Sequence, residues 1–216
     1  MSVDYVIGLD LGQAQDYTAL AVMERPEPIR EVLPVYSLRH LQRFPLGTPY
    51  TEIVPAIAKL ATMKPLDSPT IVVDYTGVGR ALVDMLRRAG TRSRIVPVTI
   101  TGGQHVTQNE DGSYGVPKKE LVTRMQLLLQ ARRLKVAATL PEADTLIEEM
   151  QNFRVKITMA ANETFGAWRE GQHDDLVLAV AVAGWWSEKF QRYTLRPEDI
   201  CTGGRLDNVP LGVFLT

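Results

Sequence analysis

The sequence predicts an α/β fold with a central mixed β-sheet flanked by helices, and two stretches carry that prediction. The first is Val6-Ile7-Gly8-Leu9-Asp10-Leu11-Gly12, then the polar run Gln13 to Asp16, then Tyr17 to Val22. It reads as strand, tight turn, strand. The second is Thr70 to Asp74, Tyr75 to Gly79 and Arg80 to Ala89, which reads as strand, turn, helix, with Ile95 to Ile100 as the next strand. Strands alternating with helices put parallel members in the sheet, and the opening antiparallel hairpin makes it mixed.

The remaining elements follow in order. Ile29 to Leu41 alternates loosely and is interrupted by Pro34, which suits an edge strand or a bulge. Thr51 to Met63 carries Ile53, Ile57, Leu60 and Ala61 at helical spacing, and Lys64 to Pro69 is a linker. Thr101 to Val116 is rich in glycine and polar residues, with Asp111-Gly112 as a hairpin-turn signal, and predicts a mobile β-hairpin or flap. Pro117 opens a helix whose apolar face is Leu121, Met125, Leu128 and Leu129. Leu134 to Ala137 predicts a short strand and Glu142 to Gln151 a helix. Phe153 to Met159 and Thr164 to Trp168 predict a second hairpin. The strongly apolar helix Leu176 to Trp186 closes a domain spanning 1–190. The tail 191–216 is expected to be loosely ordered or to bind a partner.

The 216 residues suit one domain with a sizeable core, and 45% hydrophobic with 23% charged residues is ordinary for a soluble globular protein. No apolar run is long enough to cross a bilayer, and Asp4 sits where a signal peptide carries positive charge. A single cysteine, Cys201, excludes an internal disulfide framework and a thiolate metal cluster, so the cytoplasm is the expected compartment. The net charge of -1 argues against a protein that coats nucleic acid by bulk charge. It leaves room for an enzyme acting on nucleic acid, because basic residues cluster locally. Arg80, Arg87, Arg88, Arg92 and Arg94 form one group; Lys118, Lys119, Arg124, Arg132, Arg133 and Lys135 form another.

The acidic residues carry the chemistry. Asp10 stands inside an apolar strand, where a carboxylate costs several kcal/mol unless its charge is compensated. Asp74 ends a central strand, and ligands of open α/β sheets gather at such carboxyl ends. Asp174 and Asp175 begin the last helix. Each has a plain structural reading: a turn cap for Asp10, a helix cap for Asp74, an N-cap for one of the doublet. The second Asp and the adjoining His173 stay unexplained by capping. Together the carboxylates suit hard divalent cations, and such a set can hold two ions about 4 Å apart around one phosphate. Asp16 is a further carboxylate across the turn, with a turn residue as its plain reading.

Four segments taken together resemble a known family. They are Gly8 to Gly12, Val73-Asp74-Tyr75-Thr76-Gly77-Val78-Gly79, Val116-Pro117-Lys118-Lys119-Glu120-Leu121-Val122, and His173-Asp174-Asp175-Leu176-Val177-Leu178-Ala179. In order and spacing, from Val6 to Trp186, they are similar to the nuclease domain of tailed-phage terminase large subunits. The resemblance implies a ribonuclease H-like fold, close to Holliday-junction resolvases. It also implies an endonuclease that cuts concatemeric viral DNA during packaging with two Mg²⁺ or Mn²⁺ ions. On the matching positions Asp10 would bridge both ions, Asp74 would bind one, and Asp174 with Asp175 beside it the other. Asp16 would be auxiliary. The Thr101 to Val116 hairpin would approach double-stranded DNA, with Lys118, Lys119, Arg80 and Arg124 as phosphate contacts.

The implied partners are a packaging ATPase, the small terminase subunit and the portal, in the cytoplasm of a bacterial host. No phosphate-cradling Gly-x-x-x-x-Gly-Lys-Ser/Thr loop is present, so the motor lies elsewhere in a longer polypeptide or on another chain. Two other classes compete. The actin and sugar-kinase nucleotide-binding domains share the Gly8 to Gly12 pattern but need two such domains. A non-catalytic DNA-binding packaging module would bear buried carboxylates as pure cost. Gly77-Val78-Gly79 opens like a dinucleotide fingerprint, but Leu82 stands where the third glycine belongs.

Overall fold

The computed structural model describes residues 3–12, 16–27, 29, 32–77, 79–160 and 174–189. Its elements are β1 (Val3–Asp10), β2 (Ala19–Pro26), β3 (Tyr36–Arg43), α1 (Tyr50–Thr62), β4 (Thr70–Asp74), α2 (Gly79–Arg88), β5 (Ile95–Thr101), β6 (Thr107–Gln108), β7 (Tyr114–Pro117), α3 (Lys118–Gln130), β8 (Leu134–Val136), α4 (Ala143–Ala160) and α5 (Asp175–Lys189). The strands form one eight-stranded sheet in the order β6-β7-β5-β4-β1-β2-β3-β8. Pairing is antiparallel in the β1–β2, β2–β3 and β6–β7 pairs and parallel in the others.

The two faces of the sheet bury different side chains, as the two-residue period of a strand requires. Ile7 and Leu9 of β1, Ile71 and Val73 of β4, and Leu20 and Val22 of β2 pack with α1 and α2. Val6, Val72, Ala19, Ala21 and Met23 pack with α3, α4 and α5 on the other face. Helix α5 is buried almost throughout, from Asp175 to Glu188. That fits its lack of a polar stripe, because a helix apolar on every side needs cover on every side. It lies directly on β1. A Cβ built on Gly8 would stand 1.9 Å from the carbonyl oxygen of Ala179. Glycine at position 8 therefore sets how closely the helix approaches the strand.

Three expectations need correction. The strand over Ile29 to Leu41 begins only at Tyr36 and runs on to Arg43. Pro34 has no N–H to give a ladder, and pairing starts beyond it, where the Tyr36 amide bonds the Arg133 carbonyl at 2.7 Å. The strand expected over Phe153 to Met159 is the continuation of α4. Extending an existing helix gains a hydrogen bond for each residue fixed, and that outweighs the local β-propensity of Val155 and Ile157. The 101–116 segment does form a hairpin, but it is no free flap. Its second arm, β7, is a buried strand paired parallel to β5. The other arm expected at Thr164 to Trp168, together with His173 and the tail 191–216, lies outside the described residues. Among the described residues no helix is long and apolar enough to cross a membrane.

The Gly8–Ala179 contact makes a direct prediction. Gly8→Ala should destabilise the chain by about 1–3 kcal/mol or more, since overpacking against backbone has no side chain to yield. Urea unfolding checks it; a midpoint equal to wild type would mean the helix does not sit on the strand this closely.

Candidate active site

Asp10 is the last residue of β1, and Val6 and Gly8 put its side chain on the α5 face. It is 7% exposed. Strand β4 runs parallel beside β1 with Leu9 opposite Val73, which brings Asp74 level with Asp10. Asp74 follows Val72 on the same face and is half-buried. One of its oxygens accepts the Thr76 amide at 2.9 Å, a bond inside the turn that precedes α2 and not the cap on the helix itself that its plain reading expects. The other carboxylates come from the start of α5. The Asp174 carbonyl accepts the Leu178 N–H at 2.9 Å, which makes Asp174 the N-cap residue. Asp175 is the first helical residue and is 4% exposed. The helix N-terminus carries partial positive charge and favours both.

The electrostatics tie these groups together. Burial, then the charges of Asp74, Asp175 and Asp174, raise the Asp10 carboxyl well above its ordinary range, while Lys118 opposes them. The doublet divides between two basic residues. The Lys118 ammonium lies 3.5 Å from Asp174 Oδ2, and the Arg43 guanidinium lies 3.8 Å from Asp175 Oδ2. Asp174 Oδ2 is buried and accepts no hydrogen bond from the described residues.

Not every expected residue gathers here. Asp16 is exposed and lines a cleft of about 220 Å³ with Gly12, Thr18, Thr48 and Tyr50. Lys118 points into the acidic group. Lys119 is exposed and hydrogen-bonds Gln104 at the base of the hairpin. Arg124 pairs with Glu120 on its own helix at 2.7 Å. Arg80 lies over the Tyr75 ring at 5.5 Å. In the hairpin turn, the Ser113 hydrogen bonds, helped by the charges of Arg80 and Arg87, hold the Asp111 carboxyl below its usual range.

Two further residues belong to the site. Glu149 of α4 is 5% exposed, pairs with Arg43 at the end of β3, and accepts the Val177 N–H at 3.0 Å. Burial pushes its carboxyl from the ordinary 4.5 to about 7; the Val177 bond and the Arg43 charge act against the rise, and Asp175 and Asp174 add to it. The sequence holds one signal for it. Ala143, Leu146 and Met150 form the buried stripe of α4, and Glu149 falls on that stripe at three residues from Leu146.

The donor set is all carboxylate oxygen, which suits hard divalent cations over zinc or copper. Asp10, whose carboxyl is pushed up by burial and by the neighbouring carboxylates, and the buried Asp174 oxygen are the atoms such a cation would relieve. Among the described residues no three of these side chains are gathered closely enough to hold one ion, and Lys118 and Arg43 neutralise the doublet instead.

Comparison with known proteins places this architecture among ribonuclease H-like folds. It is similar to the crystal structure of the large terminase nuclease from the thermophilic phage G20c, with a TM-score of 0.53 and 22% identity over 84% of this chain and 81% of that one. The human cytomegalovirus terminase nuclease domain aligns more loosely, with a TM-score of 0.48 and 15% identity over 85% and 82%. Residues 7–183 match the family of the terminase RNaseH-like domain, and the chain belongs to that family. The large terminase subunits of Thermus phage G20c and Thermus virus P23-45 are each 26% identical over 179 residues. Those residues cover 83% of this chain but only 31% of each relative.

The Glu149 environment predicts a pH dependence. Its proton is held more tightly in the folded than in the unfolded chain, so its contribution is full below about 4.5 and is lost as pH rises through about 7. Wild type should lose thermal stability relative to Glu149→Gln across that window. A constant difference in melting temperature would show that Glu149 does not carry the proton.

Proposed function

We propose that the chain is a metal-dependent DNA endonuclease that cleaves concatemeric viral DNA during genome packaging. One observation carries this reading: Asp10, Asp74, Asp174 and Asp175 come from three separate elements to one end of the sheet, near enough to raise the affinity of Asp10 for its proton. Family membership supplies the context. Asp10, Asp74 and Asp174 would hold two Mg²⁺ or Mn²⁺ ions, with Asp175 beside them, once their side chains close from the separated arrangement in which Lys118 and Arg43 face the doublet. Asp174 is the better ligand of the doublet, because Asp175 is the more enclosed and faces Arg43. Bound in this way, such ions supply an activated water and stabilise the leaving oxygen of a phosphodiester.

The chain's own residues do the rest. Lys118 offsets the charge of Asp174 and lies where a phosphate brought to these carboxylates would meet an ammonium. Lys119, Arg80 and Arg124, on two helices flanking the hairpin, would add sequence-independent contacts to double-stranded DNA. Because the chain spans about a third of its curated relatives, the packaging ATPase would belong to the same full-length polypeptide or a separate chain. The small terminase subunit and the portal complete the assembly, in the cytoplasm of the bacterial host.

Asp10→Asn tests the reading. Plasmid cleavage should cease, while the metal-free protein gains stability because a buried, like-charged carboxylate is gone. Mn²⁺ at about 100 times its Kd should stabilise wild type by about 2.7 kcal/mol and leave Asp10→Asn unmoved. Cleavage that persists in Asp10→Asn or in EDTA would sink the proposal, whereas a wild-type chain that binds DNA but never cuts it would favour a non-catalytic module.

Lys119→Ala should weaken DNA binding alike for all sequences and lower the slope of log K against log salt by about 0.9. An unaltered slope would remove α3 from the DNA-contacting surface.

A further inference from the structure

Buried Glu149 and half-buried Arg43 form a unit that a packing role leaves unexplained. The Arg43 side chain is 16% exposed and that of Glu149 5%. The guanidinium lies over the Tyr17 ring at 4.8 Å, pairs with Glu149 Oε1, and stands 3.8 Å from Asp175 Oδ2. The other Glu149 oxygen accepts the amide of Val177, in the first turn of α5. One ion pair thus joins β3, α4 and the start of the helix that bears the acidic doublet.

Burying two charges is a poor route to stability, since well-packed apolar residues of similar volume usually serve as well or better. Glu149 is strained in this sense, because burial drives it toward protonation. The cost is borne beside Asp175 and on an otherwise apolar stripe of α4. We propose that Arg43 and Glu149 are positioning residues of the acidic site, acting through Asp175. Arg43 offsets the charge of Asp175 against Asp10 and Asp74. Glu149 shares the guanidinium, so that Arg43 does not close fully onto Asp175, and it anchors the helix start through Val177. The inference rests on the nuclease reading and extends it to two side chains that touch neither DNA nor metal.

The test uses the full chain with three variants, Glu149→Gln, Arg43→Lys and Arg43→Met. Mn²⁺ affinity is read by calorimetric titration without DNA. Plasmid cleavage gives kcat and KM, and melting temperature reports folding. Partners that orient metal ligands typically change affinity or activity by about 10- to 100-fold. Glu149→Gln keeps an oxygen for the Val177 amide and should fold normally, with kcat down by about that factor, Mn²⁺ affinity lowered and KM for DNA little changed. Arg43→Lys, which keeps the charge, should recover part of what Arg43→Met loses. Wild-type kcat and Mn²⁺ affinity in folded Glu149→Gln would overturn the proposal, even if Arg43→Met melts early, and leave the pair a clamp on the helix. A wild-type chain that neither binds Mn²⁺ nor cuts would instead fell the nuclease reading, and this inference with it.

Discussion

The contact between the backbone of α5 and Gly8 of β1 is the constraint on which the site depends. It leaves no room for a side chain between strand and helix, so the helix start is fixed relative to the strand end. Asp10 comes two residues after Gly8 on the same face, and the doublet begins the helix that rests there. The sheet supplies the third direction, because β4 runs parallel to β1 and ends at the same level. The acidic group is therefore a product of packing between one small residue and one enclosed helix. The burial of α5 on every side holds that arrangement still.

Packing like charges together carries an electrostatic cost, and the fold meets it with cations of its own. Lys118 enters from the end of β7 and Arg43 from the end of β3, on opposite sides of the sheet order. Each faces one member of the doublet. The same principle recurs at the far end of α5. There Glu188 accepts hydrogen bonds from Tyr36 at 2.6 Å and Arg133 at 2.7 Å, which ties the helix to the β3 and β8 edge. Both ends of the helix are thus held by buried ionic contacts, although only the first adjoins the acidic group.

Much of this was legible in the sequence, and the residues show why. Asp10 stands out because an apolar strand gives a carboxylate nothing to pair with. The parallel strands follow from the strand-turn-helix unit at 70–89. Glu149 was harder to see, since its conflict with the apolar stripe of α4 emerges only when the phase of that helix is known. Arg43 carries no such cue, because the alternation that predicts the third strand ends at Leu41, two residues short of it. The alternation from Phe153 to Met159 looks like a strand by its side chains, yet an established helix carries through it. Side-chain pattern reports local preference, whereas these outcomes are decided by neighbours far along the chain.

The alternation of β1 has a consequence for how such a chain can diverge. Leu9 and Asp10 are adjacent in sequence but face opposite sides of the sheet. Inserting or deleting one residue between Gly8 and Asp10 would turn the acid toward the apolar layer of α1 and α2. Point substitutions can accumulate around this strand, but its length is frozen.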